Sequence, residues 1–155
     1  MKYTQTEAEY FMQAAIAEAQ KALALDEVPI GCVVVKDGRI IGSGYNLREH
    51  SHKASDHAEL RAIETANQKL DSWRLDNCAL FVTLEPCPMC CGAIINSRIE
   101  EVYYGAADLK AGMAGTLANW LNDPRLNHTA KVKKGILKEQ CSILLQTFFE
   151  KARKK

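Results

Sequence analysis

Two short stretches of this sequence carry side chains that could bind a transition metal. One is His57-Ala-Glu59, and the other is Cys87-Pro-Met-Cys90, which follows Pro86. Two thiols three residues apart at the start of a helix can hold one ion, and an imidazole can add a third ligand. Because three protein ligands leave the fourth tetrahedral position open for water, this set is typical of a catalytic zinc site. The sequence therefore predicts that His57, Cys87 and Cys90 bind Zn²⁺.

Each half of this pattern has an ordinary interpretation when it stands alone. A C-x-x-C pair can be a redox dithiol or two buried cysteines, and a single histidine such as His57 is usually exposed or a satisfied core residue. Glu59, three residues after Asp56, also matches a capping box in which it would only bind a backbone N–H. Together, however, H-x-E followed by P-C-x-x-C is the signature of zinc-dependent nucleobase deaminases.

Glu59 has a chemical role in such a site. Zinc can lower the pKa of a bound water from 15.7 to about 7, and the resulting hydroxide attacks the ring carbon that carries the exocyclic amine. The adjacent ring nitrogen and the departing ammonia each need a proton. A carboxylate beside the water can take a proton and deliver it, so we predict that Glu59 is the general acid and base and not a ligand.

Hydrophobic spacing and turn signals predict the elements that position these residues. Thr6 and Glu9 form a possible capping box at the start of the first helix, and Asp37-Gly38 marks a hairpin. The predicted elements are helices over 6–24, 58–68, 87–96 and 136–152 and strands over 30–35, 39–44, 79–84 and 101–105. Two crossover helices make the later strands parallel. We therefore expect one three-layer α/β/α domain with a mixed sheet, spanning residues 1–155 and including a basic C-terminal helix, 136–153.

Composition narrows the class of protein. The chain has 155 residues, of which 47% are hydrophobic and 25% charged, as in globular domains. The first ten residues are too polar for a signal peptide, and no run approaches the roughly 18 to 20 apolar residues of a membrane span. We expect a cytoplasmic protein whose closely spaced cysteines bind metal rather than form disulfides. Cys91 should point about 100° away from Cys90 on a helix, and we expect it, Cys32 and Cys141 to be inert.

The charge is unevenly distributed. Residues 131–155 carry eight Lys or Arg side chains against Glu139 and Glu150, although the net charge of the whole chain is +1. A basic end of this kind suits contact with a polyanion such as RNA. It is equally typical of a solvated final helix with a lysine-rich tail, and the charge pattern alone leaves both interpretations open.

The motifs extend into a resemblance that covers nearly the whole chain. The sequence resembles the bacterial tRNA-specific adenosine deaminases, which belong to the cytidine deaminase superfamily. The matching stretches are 27–31 (EVPIG), 44–46 (GYN), 57–59 (HAE), 81–90 (FVTLEPCPMC), 97–99 (SRI), 104–108 (YGAAD), 112–116 (GMAGT), 126–128 (LNH) and 135–137 (GIL). The resemblance implies a cytidine-deaminase-like fold with a mixed five-stranded sheet, a homodimer and one zinc ion per subunit. It also implies deamination of adenosine to inosine at the wobble position of a tRNA anticodon stem-loop, with zinc-bound hydroxide attacking C6.

The same resemblance implies a set of substrate contacts. The implied residues are Asn46 and the backbone N–H of Ala58 for the flipped base, Val28 and Pro29 for the pocket wall, Asp108 for the nucleotide backbone or ribose, and Phe148 and Phe149 for the RNA entrance. Without the resemblance, Asn46 would be a turn residue, and the two phenylalanines would be one core ring and one exposed ring. The chain departs from the family at residues 53–56, which read Lys-Ala-Ser-Asp instead of Asp-Pro-Thr-Ala, and at Cys91, where a small residue is usual.

Two other functions compete with this interpretation. A deaminase of a free base or nucleoside, such as guanine or cytosine, would use the same metal motif, but it would have no use for a basic C-terminal helix. A non-catalytic zinc module that binds RNA would need a fourth protein ligand, which is not apparent in either motif, and it would leave Glu59 without a role.

Overall fold

The chain begins with a long helix. In the computed structural model, which describes residues 1–154, helix α1 covers Gln5–Ala24. Its N-terminus has a capping box, in which Glu7 N donates to Thr4 Oγ1 (3.2 Å) and Thr4 N donates to the Glu7 carboxylate (2.9 Å). Both partners therefore satisfy backbone N–H groups that the helix itself leaves unpaired.

The predicted capping box of Thr6 and Glu9 is wrong. Two Thr-x-x-Glu patterns overlap here, and the helix uses the earlier one. Tyr3, which directly precedes Thr4, packs in the core against Phe11, with 5.3 Å between the ring centroids. This apolar contact draws the start of the helix toward the N-terminus, so tertiary packing decides between two equivalent local signals.

The sheet has five strands in the spatial order β2-β1-β3-β4-β5. They are β1 Gly31–Lys36, β2 Arg39–Tyr45, β3 Cys78–Leu84, β4 Glu101–Ala106 and β5 Lys131–Lys133. Strand β1 is antiparallel to both β2 and β3, whereas β3, β4 and β5 are mutually parallel. The almost continuous burial of β1 and β3 is expected for central strands covered on both faces.

Helices cover both faces of this sheet. Besides α1, they are α2 Arg48–Ser51, α3 Ala58–Leu70, α4 Pro88–Ser97 and α5 Lys138–Arg153. Alternate residues of the central strands pack against α3 and α4 on one face and against α1 and α5 on the other. The predicted three-layer α/β/α architecture with a mixed five-stranded sheet is confirmed. None of the helices formed by residues 1–154 combines the length and the apolar character needed to span a bilayer.

Two elements were not located by the hydrophobic pattern. Strand β5 has only three residues, lies at the edge of the sheet and exposes Lys131, so it has no apolar run. Helix α2 is a single turn within residues 46–56, the polar segment between the predicted strand 39–44 and the predicted helix 58–68. Helix α5 also begins at Lys138 rather than at residue 136, because Ile136 is buried in the core before the helix starts.

The carboxyl ends of β2, β3 and β4 lie at the same end of the sheet, which we call its carboxyl edge. Strands β2 and β3 run in the same direction because each is antiparallel to β1, and β4 is parallel to β3. Polypeptide that follows Tyr45, Leu84 and Ala106 therefore leaves the sheet on the same side. In open α/β sheets, this edge is where ligands bind.

Helix α3 lies unusually close to the sheet. A Cβ atom on Gly42 would overlap the backbone oxygen of Ala62, and one on Gly44 would lie 2.8 Å from the backbone oxygen of Ala58. Glycine is required at both positions because any side chain would separate the helix from the strand. This close approach brings the N-terminus of α3 to the carboxyl edge of the sheet.

Candidate active site

The three predicted metal ligands lie at the N-termini of two helices. His57 directly precedes α3, and Cys87 directly precedes α4, whose first residue is Pro88. Cys90 follows in the first turn of α4. Proline is well suited to this position because the first helical N–H would be unpaired in any case. Both helices start at the carboxyl edge of the sheet, so residues 57 and 87–90 meet there.

The donor atoms of these residues have the spacing of a metal site. His57 Nδ1 is 3.6 Å from both Cys87 Sγ and Cys90 Sγ. A tetrahedral zinc ion with Zn–S bonds of about 2.3 Å and Zn–N bonds of about 2.0–2.1 Å keeps such atoms about 3.6 Å apart. Within residues 1–154, no second trio of His, Cys, Asp or Glu side chains is close enough to hold an ion. The residues present therefore fit zinc in both geometry and donor type.

Electrostatics favour the thiolate at this place. The pKa of the Cys87 thiol is lowered to about 4, first by the hydrogen bond from Cys90 and then by the one from His57. The same contact with Cys87 raises the pKa of His57. A helix N-terminus adds partial positive charge that also stabilises a thiolate, the form of cysteine that binds metal.

Glu59 lies beside the metal-ligand group but is not one of its members. Its side chain is 4% exposed and is next to the Cys90 thiol. Burial raises the pKa of its carboxyl to about 7, so the group can both take and give a proton near neutral pH. The alternative of a capping box with Asp56 is wrong: His57 is the capping position, and its helix has no side-chain cap among the described residues.

A pocket of about 510 Å³ opens above these residues. The predicted substrate-binding residues that line it are Val28, Asn46, Ala58, Asp108 and Phe149, together with His57, Glu59 and Cys87. Pro29 and Phe148 are not among its described lining residues. Pro29 is buried beside Val28, and Phe148 packs edge-on against Phe149, with 5.2 Å between the ring centroids.

Asn46 is held in a fixed orientation. It is 5% exposed, its Nδ2 donates to Val28 O (3.2 Å), and its Oδ1 accepts from Arg48 N (3.2 Å). An amide nitrogen has two hydrogens, so the second hydrogen of Nδ2 is available to a ligand in the pocket. The side chain is thus both a structural link between two loops and a polar group in the pocket lining.

One wall of the pocket depends on a buried carboxylate that the motif analysis did not assign. Glu27 is fully buried and accepts hydrogen bonds from Glu49 N (3.1 Å), His50 N (2.7 Å) and His50 Nδ1 (2.7 Å). These N–H groups lie in the first turn of α2, which has no local side-chain cap. Glu27 therefore caps α2 from a distant part of the chain and holds the segment that carries Arg48 to the pocket.

The opposite wall depends on a second buried carboxylate. Glu85, 2% exposed, accepts from Asp108 N (3.1 Å), Ala114 N (3.0 Å), Thr116 N (3.1 Å) and the Thr116 hydroxyl (2.5 Å). A side chain on Gly112 would overlap this carboxylate. Both anchors could have been suspected from sequence, because an acidic residue within an apolar, proline-containing stretch must find partners.

The remaining cysteines and histidines lie outside the metal-ligand group. All six cysteines are free, and Cys91, whose thiol points to Pro86 O (3.8 Å), is buried with Cys32 and Cys141. His128 contacts Ile99 O through Nε2 (2.7 Å) rather than facing solvent alone. The expectation of inert core positions for the three cysteines agrees with their burial.

The basic C-terminal residues do not form one surface. Lys131 lies in β5 opposite Glu101 at the amino end of β4, whereas the pocket lies beyond the carboxyl end of β4. Helix α5 has 16 residues and is therefore about 24 Å long. Arg153, in its last turn, donates to the backbone oxygen of the pocket residue Phe149 (3.3 Å). Leu145 and Phe149 of α5 line the pocket, so the cations of its last turn are close along the chain to a pocket residue; Lys155 lies outside the described residues.

Comparison with known proteins places this geometry in a family. The profile of the MafB19-like deaminase family matches residues 6–153. A tRNA-specific adenosine deaminase of Streptococcus pyogenes serotype M18 (strain MGAS8232) is 50% identical over 155 residues, which cover 100% of this chain and 98% of the relative. The chain belongs to the tRNA-specific adenosine deaminase family. The Bacillus subtilis (strain 168) member is 49% identical over 150 residues, or 97% of this chain and 93% of that protein.

Solved structures agree with the assignment. One from a study of A-to-I editing by tRNA:A34 deaminases at the wobble position of transfer RNA has a TM-score of 0.84 and 38% identity, covering 88% of this chain and 99% of that one. A guanine deaminase from Nitrosomonas europaea has a TM-score of 0.78 and 25% identity, covering 90% and 83%. The fold is thus shared with a guanine deaminase, and the sequence identity is higher to the tRNA:A34 deaminase structure.

Proposed function

We propose that this protein hydrolytically deaminates adenosine to inosine at the wobble position of a tRNA anticodon. The observation that carries the proposal is the buried Glu59 carboxyl beside the His57, Cys87 and Cys90 donors, in a chain 50% identical over its full length to a tRNA-specific adenosine deaminase. The net reaction consumes one water and releases one ammonia for each adenosine.

Zinc is the metal that this donor set fits. When bound, it would act as a Lewis acid that activates a water for attack on the base. The protein contributes two thiols and one imidazole whose spacing is already that of zinc ligands. We expect one zinc ion per subunit, held by His57, Cys87 and Cys90.

Glu59 is the proton carrier of the proposed reaction. Its carboxylate takes a proton from the attacking water and delivers it to N1 of adenine. It then takes the remaining water proton, from the hydroxyl now on C6, and transfers it to the exocyclic nitrogen, which leaves as ammonia as the C6 carbonyl forms. Burial keeps water away from this carboxyl and gives it the near-neutral pKa of about 7 that a two-way carrier needs.

The base is bound by groups that surround the metal ligands and Glu59. The first N–H groups of α3, including that of Ala58, have no described side-chain cap and point toward the pocket end of the helix. They are suited to hydrogen-bond the edge of a purine. Asn46 offers its second amide hydrogen, Val28 provides an apolar wall, and Asp108 lies where the loop after β4 reaches the pocket.

An RNA partner fits the rim of the pocket. Phe149 lines the opening, and Arg153 in the same helical turn binds its backbone oxygen. An aromatic ring next to cations is a typical surface for an unstacked nucleotide and its phosphates. We expect Phe148 to support Phe149 rather than to touch the RNA, since the two rings pack edge-on.

A homodimer completes the proposal. The N-terminal part of α4 and the loop after β4 expose Met89 (37%), Leu117 (53%) and Trp120 (41%). A Cβ on Gly92 would meet no described atom within 4 Å, so this face of α4 is open to close approach by a second copy. Activity on tRNA also supports a cytoplasmic location and the predicted single deaminase domain over residues 1–155.

An assay of substrate choice tests the proposal. Purified protein loaded with zinc should convert adenosine to inosine in an anticodon stem-loop, with one ammonia released per inosine, and should leave free adenosine, guanine and cytidine unchanged. Chelation should remove activity, and added zinc should restore it. The likeness to a guanine deaminase makes free guanine the decisive competitor: efficient turnover of guanine without turnover of the stem-loop would replace this function with the second candidate.

A further inference from the structure

The loop after β4 forms a wall of the pocket without any regular structure of its own. Residues 107–111 all line the pocket, and residues 112–117 fold back behind them. Its turns have local hydrogen bonds: Asp108 Oδ1 accepts from Lys110 N (3.0 Å) and from Ala111 N (3.1 Å), and Asp108 O accepts from Gly112 N (3.0 Å). These short bonds shape one turn but do not attach that turn to the rest of the protein.

Glu85 makes that attachment. Its Oε1 accepts from Asp108 N, at the front of the wall, and its Oε2 accepts from Ala114 N and Thr116 N, at the back. One buried carboxylate therefore joins both ends of the loop to the carboxyl end of β3. Hydrogen bonds to an ionised acceptor are about twice as strong as neutral ones. A buried carboxylate that lost these partners would also be left without any compensation for its burial, which is energetically costly.

Packing around Glu85 leaves the loop little freedom. Gly112 contacts the carboxylate so closely that a Cβ there would overlap it and would also lie 2.6 Å from Asp108 O. Met113 N donates to Pro86 O (3.0 Å), which adds a main-chain tie beside Glu85. The position of Asp108 relative to the pocket thus depends on the Glu85 carboxylate together with this main-chain tie.

We propose that Glu85 is a positioning residue for substrate, which sets the 107–111 wall so that it can receive the nucleotide, and that it has no part in the chemical step. This proposal rests on the proposed function. Among residues 1–154, the hydrogen bonds of the Glu85 carboxylate go to the 108–116 loop and not to the donor atoms of the metal group or to Glu59. Its loss should therefore weaken substrate binding and leave the metal and the proton carrier intact.

The test is the Glu85→Gln variant of the zinc-loaded enzyme. Glutamine keeps the volume but replaces one acceptor oxygen with an NH₂ group, which faces N–H donors and breaks part of the attachment. We expect KM for the anticodon stem-loop to rise about tenfold with kcat within about twofold of the parent value. Zinc content should remain at one per chain, and the amides of residues 108, 114 and 116 should exchange hydrogen at least about tenfold faster.

Two further variants separate positioning from general stability. Thr116→Val removes the hydroxyl that donates to Glu85 and also contacts Tyr104, and leaves the backbone donors to Glu85 in place, so KM should rise by about two- to threefold. Glu101→Gln is the matched control, because that carboxylate also accepts from a backbone N–H, of Lys2, and from a hydroxyl, of Tyr103, but at the amino end of β4. It should lower Tm and leave KM unchanged.

Three outcomes would overturn the proposal. An unchanged KM in Glu85→Gln, with only the fall in Tm seen in Glu101→Gln, would make Glu85 a general stabilising residue. Loss of zinc together with kcat would mean that it acts through the neighbouring Cys87 instead. Unchanged amide exchange would show that Glu85 does not hold the wall. If the parent enzyme failed to act on RNA, the proposed function would fail, while the exchange measurement would still decide whether the wall depends on Glu85.

Discussion

The floor and the walls of the pocket are built in different ways. The floor, which we define as His57, Glu59, Cys87 and Cys90, lies on the first turns of α3 and α4, which pack directly on the sheet. The walls are the segments 46–51 and 107–116, and they depend on single buried carboxylates, Glu27 and Glu85. In the floor, many residues fix each functional atom, whereas in each wall one carboxylate makes several of the bonds that hold the segment, beside main-chain bonds such as Met113 N to Pro86 O and Leu47 N to Asp56 O.

This difference suggests a division of labour. Reacting groups need positions accurate to a fraction of an ångström, and the ends of packed helices provide them. Substrate selection needs surfaces that vary among related enzymes, and a loop held by a few hydrogen bonds can be remodelled without disturbing the floor. Variants in the floor should therefore change kcat, and variants in the walls should change KM.

The largest expected effect belongs to the floor. Glu59→Gln keeps the size of the side chain but cannot carry protons, so kcat should fall by about 10²- to 10⁴-fold, the usual contribution of a general acid or base. Zinc content and the affinity for the stem-loop should stay at parent values, as measured by metal analysis and equilibrium binding. Loss of zinc in this variant would contradict the assignment, because Glu59 would then be a ligand and not the proton carrier.

A smaller effect is expected at the rim of the pocket. Reversing Lys151, Arg153 and Lys154 to Glu should weaken stem-loop binding by about 10- to 100-fold and should reduce the slope of log K against log salt by about two to three. The matched control reverses Lys131, Lys133 and Lys134, which carry the same charge at β5 and the turn after it. Equal losses in both variants would indicate a general charge effect, and no loss in the first would leave the end of α5 as a solvated helix.

The smallest effect should come from the other wall. Glu27→Gln removes part of the distant cap of α2, and loss of a helix cap is worth about 1 kcal/mol. We expect KM to rise about three- to fivefold with kcat unchanged. Glu49→Gln, on the same helix, should have a smaller effect, because its 75% exposed side chain makes only a 3.8 Å surface contact with Arg48. In a double variant of Glu27→Gln and Glu85→Gln, the two changes in binding free energy should add, since the two anchors share no described partner. A fall in kcat in either wall variant would end the distinction between floor and walls.

The sequence predicts the floor better than the walls. His57, Cys87 and Cys90 are recognisable because their side-chain chemistry and their positions at helix starts are local features, and the structure brings their donor atoms together. The architecture follows for a similar reason, since apolar runs and crossover helices are also local. Ligand roles for these three residues remain predictions that metal analysis must test.

The roles of Glu27 and Glu85 could not be read from local patterns. Each carboxylate finds its partners 22 to 31 residues away along the chain, and nothing in the spacing of residue types specifies that distance. Strand β5 and helix α2 were missed on the same grounds, because the first forms by pairing with β4 and the second is capped by Glu27. The capping box was predicted at Thr6 instead of Thr4 because the two sites have the same local pattern. The tertiary contact of Tyr3 with Phe11 favours the earlier site.

The two glycines beneath α3 have a consequence for how this enzyme can change over evolution. Because Gly42 and Gly44 bring the helix against the main chain of β2, the height of α3 above the sheet is set by backbone atoms rather than by side-chain volume. Substitutions elsewhere in the core, which shift neighbouring elements by small amounts, will move α4 before they move α3. The positions of the His57 imidazole and the Glu59 carboxylate therefore depend little on which residues fill the core. Homologues with differently packed interiors can retain the same reaction geometry.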